Sequence, residues 1–229
     1  MTTRRLAVIP ARGGSKRIPR KNIKPFDGRP IILRVLDEVA GCGLFDEIHV
    51  STEDEEIEGV VSAAGYAPRF PRDPLLAGDH VPLKDVLSSV IYRFKVDGVK
   101  FDTIAMVFAT AVFLDRQTLW HAVDLFEAGD KSVQVVSVAK YPAPLEWAMR
   151  MGRGGVLDPV DPTKLAMRSQ DLQDAWYETA DFVLYDEQGV ISNNVGSLRV
   201  GFPVPHIPVD IDTEEDWKTA EMLYGRSSR

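Results

Sequence analysis

Near its start the sequence passes from an apolar segment, Leu6-Ala7-Val8-Ile9-Pro10, directly into Ala11-Arg12-Gly13-Gly14-Ser15-Lys16-Arg17-Ile18-Pro19-Arg20-Lys21-Asn22. The apolar segment predicts a buried β-strand. The two glycines that follow carry no Cβ, so the backbone there can turn sharply and approach a ligand closely. Six of the thirteen residues from Arg12 to Lys24 are basic. Such a cationic, amide-rich segment after a first strand, here called the basic loop (residues 11–24), is typical of a site for polyphosphates.

The charge of the basic loop contrasts with that of the whole chain, whose formal net charge is −7. Residues 1–26 contain eight lysines and arginines and no acidic residue. Exposed charges are screened over about 10 Å at ~0.1 M salt, so distant acids hardly weaken the loop. A solvated basic arm is the alternative, but the preceding strand and the prolines at positions 19 and 25 favour an ordered loop.

The basic loop matches neither the P-loop motif nor the dinucleotide-binding fingerprint. It lacks interleaved aromatic residues, so no nucleic acid is expected as a partner.

Length and composition predict one domain over residues 1–229, because hydrophobic residues make up 45% of the chain and can fill a complete core. No apolar run approaches the ~20 residues of a membrane span, and a signal-peptide core is not evident, so no membrane partner is expected. Cys42 is the only cysteine, which excludes an intrachain disulfide. The expected location is cytoplasmic.

Strand and helix patterns alternate through the first 140 residues. Further strands are predicted over residues 48–50, 103–108 and 133–138, and helices over 30–40, 52–65, 83–94 and 115–126. Thr52 with Glu55 is expected to form a capping box, and Asp115 to cap its helix. The alternation predicts an α/β fold with a doubly wound, mostly parallel sheet. Ligands of such sheets bind beyond the carboxyl ends of the strands, where the basic loop is expected.

A second group of charged residues lies near the C-terminus, in Pro208-Val209-Asp210-Ile211-Asp212-Thr213-Glu214-Glu215-Asp216-Trp217. In an extended segment residues two apart point to the same side, so Asp210 and Asp212 would present two carboxylates together. A divalent cation would relieve their repulsion, and Mg²⁺ commonly binds one or two carboxylates plus phosphate oxygens. The alternative is a surface strand before a capped helix. A capping box of Thr213 and Asp216 explains the later acids but leaves Asp210 and Asp212 unexplained.

The basic loop resembles the signature of the CMP-sialic acid synthetase family, cytidylyltransferases that activate nonulosonic acids. That signature reads A-R-G-G-S-K, a spacer with a proline, then K-N, and here it is unbroken. The resemblance implies a single Rossmann-like nucleotidyltransferase domain that binds CTP. It also implies roles in nucleotide binding for Ala11, Arg12, Gly13, Ser15, Lys16, Lys21 and Asn22, with Arg17 as a helper. The D-x-D segment of this family binds the metal, so Asp210 and Asp212 are the expected ligands of Mg²⁺, or of Mn²⁺.

Other matches to the family are local. The segment from Arg72 to Asp79 resembles an R-P-x-x-L-A-x-D loop, which implies that Arg72 lies near the nucleotide. Arg168 and Gln170 match an R-x-Q-D segment that approaches the sugar, often in the neighbouring subunit. The segment from Phe108 to Leu114 resembles the pseudaminic acid branch rather than the sialic acid enzymes. Asp181 replaces a glutamine of that branch and is a further candidate for sugar binding.

Prolines, a glycine pair and the tryptophans Trp147 and Trp176 interrupt the alternation of strands and helices over residues 140–185. This stretch is predicted to be an insertion with short strands of its own, the alternative being a long irregular loop. In the resembled family the corresponding region is a dimerisation element, which implies a homodimer.

The predicted activity is transfer of CMP from CTP to the anomeric hydroxyl of a nonulosonic acid similar to pseudaminic acid, with release of pyrophosphate. Arg12, Lys21 and Asp212 are the expected catalytic residues, which act by alignment and charge stabilisation. Two alternatives stay open: a nucleotidyltransferase for another sugar, such as Kdo or a sugar 1-phosphate, and a catalytically silent nucleotide-binding homologue.

Overall fold

A computed structural model describes residues 3–191 and 198–227 of the chain. Its helices are α1 (Ile31–Gly41), α2 (Glu55–Ala63), α3 (Leu83–Val96), α4 (Arg116–Ala128), α5 (Glu187–Ile191) and α6 (Glu214–Ser227). Its strands are β1 (Arg5–Pro10), β2 (Pro25–Phe26), β3 (Arg29–Pro30), β4 (Glu47–Ser51), β5 (Thr103–Val107), β6 (Gln134–Lys140), β7 (Met149–Met151), β8 (Leu157–Pro159), β9 (Trp176–Tyr185) and β10 (Arg199–Pro203). Within the described residues, no helix combines the length and apolar character needed to cross a membrane.

The central sheet has the strand order β10-β6-β9-β5-β1-β4 among the described residues. β1 pairs in parallel with β4 and β5, and β10 pairs in parallel with β6. β9 runs antiparallel to both of its neighbours, β5 and β6. The prediction of an α/β fold with a mostly parallel sheet is therefore confirmed, with one reversed strand inside it.

The core lies on both faces of this sheet, and the first strand shows why. Leu6 and Val8 pack into a cluster with apolar residues of α3 and α5, whereas Ala7 and Ile9 pack with residues of α1, α2, α4 and α6. All four side chains are completely buried. A strand covered on both faces is apolar at every position, which is the pattern that predicted it.

Helix starts agree with the sequence at two of three predicted caps. The Asp115 carboxylate accepts the N–H of Thr118 at 2.7 Å. Thr213 and Asp216 bond reciprocally, at 2.8 and 3.2 Å. The predicted cap of α2 is wrong, because Asp54 rather than Thr52 accepts the first amides of that helix. The Thr52 hydroxyl instead accepts the N–H of Asp54, the residue that caps the helix.

The predicted insertion divides into two parts. Residues 176–185 form β9, in the middle of the central sheet, so the stretch outside the sheet is residues 141–175, here called the excursion. The excursion contains the hairpin of β7 and β8 and several short 3-10 turns. β9 also carries a bulge, where its pairing with β6 shifts register and Ala180 adopts a φ of 55°. The hydroxyl of buried Ser137 accepts the N–H groups of Asp181 and Phe182, which fastens this bulge.

Candidate active site

A cavity of about 350 Å³ lies beyond the carboxyl ends of β1 and β5. This main pocket is where the parallel sheet and the basic loop predicted a ligand site. Most of the predicted nucleotide and metal residues line it: Arg12, Ser15, Lys16, Lys21, Asn22, Arg72, Asp210 and Asp212. The structure thus brings together side chains that lie as far as 200 residues apart in the sequence.

Gly13 occupies the tightest point of the basic loop. Its N–H donates to the Glu53 carboxylate at 2.8 Å. A Cβ added to Gly13 would lie 2.1 Å from an oxygen of Asp54, so no larger residue fits without displacing that side chain. Ala11 is completely buried, and its N–H donates to the Ser51 carbonyl at 2.9 Å. Ala11 and Gly13 therefore position the loop against the end of β4.

The second half of the basic loop is fastened by Arg20 and Asn22. Arg20 adopts a φ of 57°, and its guanidinium binds the Asp54 carboxylate through two bonds of 2.6 and 2.7 Å. This pair raises the pKa of Arg20 and lowers that of Asp54. The buried Asn22 amide donates to the Arg12 carbonyl at 2.9 Å. The loop is consequently closed on itself, and four of its cationic side chains, Arg12, Lys16, Arg17 and Lys21, line the main pocket.

Four cations of the basic loop pair with two carboxylates at the pocket. Arg12 contacts Asp79 at 2.5 Å, and Lys16 also pairs with that carboxylate. Hydrogen bonds from the two cations lower the pKa of Asp79, and Lys16 has the larger effect.

Asp212 receives the other two cations. Arg17 contacts its carboxylate at 2.7 Å, and Lys21 contacts it at 3.2 Å. The Lys21 ammonium also donates to the Ile211 carbonyl at 2.7 Å, which ties the loop to the segment before α6.

Arg72 forms a fixed part of the pocket wall. It is buried, and its guanidinium donates to the Ser51 carbonyl at 2.5 Å and to the Ser51 hydroxyl at 3.1 Å. A carboxylate oxygen of Glu53 lies 3.6 Å from the guanidinium. Burial lowers the pKa of Arg72, and the nearby Glu53 carboxylate opposes that shift. An arginine held in this way contributes a preorganised positive charge to the pocket wall.

Asp210 and Asp212 both line the main pocket, as the D-x-D spacing predicts. Asp210 lies at the exposed rim, but partial loss of water around its carboxyl and the charge of Asp212 raise its pKa. Residues 3–191 and 198–227 contain no group of three or more acidic, histidine or cysteine side chains arranged to hold a metal. Two neighbouring carboxylates at the rim of a cationic pocket are a donor set that fits Mg²⁺, which commonly binds one or two carboxylates and takes its other ligands from phosphate and water.

The three predicted sugar-binding residues lie outside the lining of the main pocket. Arg168 is exposed and binds Asp171 at 2.9 Å. Gln170 lines a separate cavity of about 630 Å³ beside the excursion. The buried carboxylate of Asp181 accepts the Thr179 hydroxyl at 2.5 Å and lies 3.3 Å from the His206 ring nitrogen. Its neighbour Ala180 lines the main pocket instead, because the β9 bulge turns that residue toward the cavity.

Several lining or supporting residues were not predicted from the sequence. Glu53 and Asp54 support the basic loop, although their acidic run was interpreted as the start of a helix. Asp79 pairs with two loop cations, a role that the loop motif around Arg72 did not reveal. Phe108 lines the pocket with Ala109 and Thr110, whereas Leu114 of the same segment is buried in the core.

Comparisons with known proteins show which family the sequence resembles. The sequence model of a family described as cytidylyltransferase matches residues 6–141. The pseudaminic acid cytidylyltransferase of Campylobacter jejuni is 31% identical over 225 residues, which cover 96% of this chain and 95% of the relative. The CMP-N,N'-diacetyllegionaminic acid synthase of Legionella pneumophila is 28% identical over 231 residues, which cover 95% of each protein.

Solved structures share the fold at much lower identity. The CMP:2-keto-3-deoxy-manno-octonic acid synthetase complexed with CTP has a TM-score of 0.75 at 16% identity, over 98% of this chain and 100% of that chain. A 4-diphosphocytidyl-2C-methyl-D-erythritol synthase has a TM-score of 0.70 at 12% identity, over 98% and 99%. The family match covers more than half of the sequence, and a relative at 31% identity covers nearly all of it; the chain belongs to the cytidylyltransferase family.

Proposed function

We propose that the protein transfers CMP from CTP to the anomeric hydroxyl of a nonulosonic acid and releases pyrophosphate. One observation carries the proposal: four of the six cations of the basic loop and the Asp210–Asp212 pair line a single cavity beyond the carboxyl ends of the strands. The names of the relatives in Campylobacter jejuni and Legionella pneumophila support a nine-carbon acidic sugar as the acceptor.

In this proposal the basic loop binds the triphosphate of CTP. Arg12, Lys16 and Lys21 supply positive charge, Ser15 supplies a hydroxyl, and the buried Asn22 holds the loop backbone beside the cytidine. Arg12 and Lys21 stabilise the charge that develops on the leaving pyrophosphate, so they contribute mainly in the transition state. Arg72, fixed by Ser51, adds a preorganised charge to the pocket wall. The chain supplies alignment and electrostatic stabilisation rather than a covalent intermediate.

Asp210 and Asp212 would hold Mg²⁺, or Mn²⁺, at the rim of the main pocket. The ion supplies Lewis-acid neutralisation of phosphate charge and lowers the pKa of an attacking hydroxyl. The position of the two carboxylates supports this role, because Asp210 and Asp212 lie together among the residues that line the cationic pocket. Arg17 and Lys21 pair with Asp212, and in this proposal they would exchange that carboxylate for phosphate oxygens when CTP binds.

The acceptor is proposed to be closer to pseudaminic acid than to N-acetylneuraminic acid. Phe108 and Ala180 give the sugar side of the pocket an apolar surface. Such a surface does not compensate the desolvation of a hydroxyl-rich substituent, so a deoxy, acylamino-substituted sugar fits it better.

We also propose that the active form is a homodimer in which the excursion contacts the partner subunit. Large apolar side chains of the excursion are exposed, namely Leu145, Trp147, Met149, Met151, Val156, Leu157, Val160 and Met167. A twofold interface is a common way to cover such a patch. In this arrangement Arg168 and Gln170 would serve the active site of the neighbouring copy. The cytoplasmic location stays a prediction.

The decisive experiment measures pyrophosphate release with CTP and Mg²⁺ against a panel of pseudaminic acid, N-acetylneuraminic acid, Kdo and a sugar 1-phosphate. The highest kcat/KM is expected for pseudaminic acid, and activity is expected to disappear with EDTA. A preference for Kdo or a sugar 1-phosphate would establish another nucleotidyltransferase. No release with any acceptor, from a folded protein that binds CTP, would establish a silent homologue.

Matched variants test the assigned residues in the same assay. Lys21→Ala is expected to lower kcat by about 10²–10³, the typical cost of losing one preorganised donor. Lys24→Ala is the control, because Lys24 is a neighbouring cation that pairs with Glu214 instead of lining the pocket. Asp212→Asn is expected to abolish most of the activity and the Mg²⁺ dependence while the protein stays folded. Unchanged turnover per folded molecule would make Asp212 a structural residue.

A further inference from the structure

Asp79 pairs with two of the cations that the proposed function gives to the triphosphate. Its carboxylate oxygens contact Arg12 at 2.5 Å on one side and Lys16 on the other. Both cations line the main pocket. A carboxylate that receives two cationic donors resembles a phosphate group in charge and in hydrogen-bonding geometry. Asp79 therefore occupies the donors that a bound phosphate would need.

The position of Asp79 in the fold allows its carboxylate to separate from Arg12 and Lys16. It lies in the segment of residues 77–82, between the 3-10 turn Pro74–Leu76 and the start of α3. Gly78, Asp79 and His80 are exposed to solvent, and the carboxylate itself is about one-third exposed. Ion pairs with this exposure are weak, so a multiply charged anion competes with them successfully. By contrast, the guanidinium of Arg72 is buried and is held by Ser51.

We propose that Asp79 is an internal counter-ion that holds Arg12 and Lys16 in the ligand-free state, is displaced by phosphate groups and returns when pyrophosphate leaves. This inference rests on the proposed function only in treating the main pocket as a phosphate site. Displacement of Asp79 reduces the apparent affinity of every ligand that needs these two cations by the same factor. Asp79 thereby limits retention of pyrophosphate, the leaving product, and couples the 77–82 segment to occupation of the pocket.

The test measures binding of inorganic pyrophosphate and orthophosphate by calorimetry, in EDTA and at low salt, without CTP or sugar. Asp79→Asn is expected to bind both anions about two- to tenfold more tightly than the wild type, by a similar factor for each. Asp124→Asn on α4 is the control, because it changes the net charge equally at an exposed position outside the pocket lining. Its affinities should match those of the wild type.

Hydrogen exchange distinguishes displacement from a simple change of charge. In the wild type, pyrophosphate should increase amide exchange across residues 77–82, whereas Asp79→Asn should exchange rapidly there with or without the anion. The proposal would be overturned if Asp79→Asn bound the anions no more tightly than the wild type, or if Asp124→Asn gained as much affinity as Asp79→Asn. It would also be overturned if none of the three proteins bound pyrophosphate, or if pyrophosphate left amide exchange across residues 77–82 unchanged. If Asp79→Asn binds more tightly while the wild type makes no CMP-sugar, the proposed function fails and this inference stands.

Discussion

Among single residues, Gly13 is the one whose backbone in the basic loop packs closely against the side chains of Glu53 and Asp54. We expect Gly13→Ala to lower stability by about 1–3 kcal/mol, because its Cβ would lie 2.1 Å from an Asp54 oxygen. The same change should weaken CTP binding by disturbing the Arg20–Asp54 pair that fastens the basic loop. Urea denaturation and nucleotide titration measure the two effects.

Gly14→Ala is the matched control for this prediction. A Cβ added at Gly14 meets no atom within 4 Å, and the residue is the next one along the same loop. Its stability should stay within about 0.5 kcal/mol of the wild type, as for most surface substitutions. Equal effects of the two variants would show that loop flexibility, rather than the Asp54 contact, requires glycine.

Residue positions in the basic loop were predictable because they follow one another along a single motif. The same reasoning failed to show where Asp181 points. Its side chain turns toward Thr179 and His206 because the β9 bulge reverses the local alternation of strand faces. A single sequence does not reveal a bulge held by a distant hydroxyl such as that of Ser137. Asp79 escaped prediction for a related reason, since its partners lie more than 60 residues earlier.

At the scale of elements, His49 connects the stability of β4 and α3 to pH. Its ring is buried between Phe70 at 4.4 Å and Phe94 at 5.7 Å, measured between ring centroids. Burial, and then the positive charges of Arg72, Arg69 and Arg93, lower the pKa of His49 to about 4. The unfolded chain binds a proton at pH values near 6.5, whereas the folded chain does not.

Stability is therefore expected to fall as the pH drops from about 6.5 to about 4, by up to ~3 kcal/mol from this group. His49→Leu should flatten that part of the pH dependence, because it removes the group that must protonate on unfolding. His121→Gln, at an exposed position on α4, is the control and should retain the wild-type slope. Urea midpoints at pH 5 and pH 7 measure the difference. An equally steep fall in His49→Leu would assign the acid sensitivity to other groups.

Most elements were predictable because local patterns carry them. Strands buried on both faces are continuously apolar, and helix caps such as Asp115 lie next to the helix they start. β9 was included in the predicted insertion because its first half carries exposed aromatic and acidic residues. Its place between β5 and β6 depends on pairing across the sheet, which local periodicity does not encode.

At the scale of the whole molecule, assembly is the prediction with the clearest test. Met151 on β7 is 75% exposed, and Val96 at the end of α3 is 66% exposed. We expect Met151→Asp to convert a homodimer into monomers and to reduce transferase activity, because a charge would be buried in the proposed interface. Val96→Asp, at a similarly exposed site outside the excursion, should leave the dimer intact. Light scattering at micromolar concentration measures both. A wild-type monomer with full activity would contradict the proposed assembly.

The order of strands in the sheet has a consequence for how the protein is made. β6 pairs with β9 and β10, both of which lie later in the chain, whereas β1, β4 and β5 pair among themselves. During synthesis β1, β4 and β5 can pair with one another before β9, the partner of the other edge of β5, has been made. Residues 6–141, which carry the family match, end with β6 before either of its partners has been synthesised. A nascent chain stopped there would leave both edges of β6 and one edge of β5 without their partner strands, and unpaired strand edges favour aggregation.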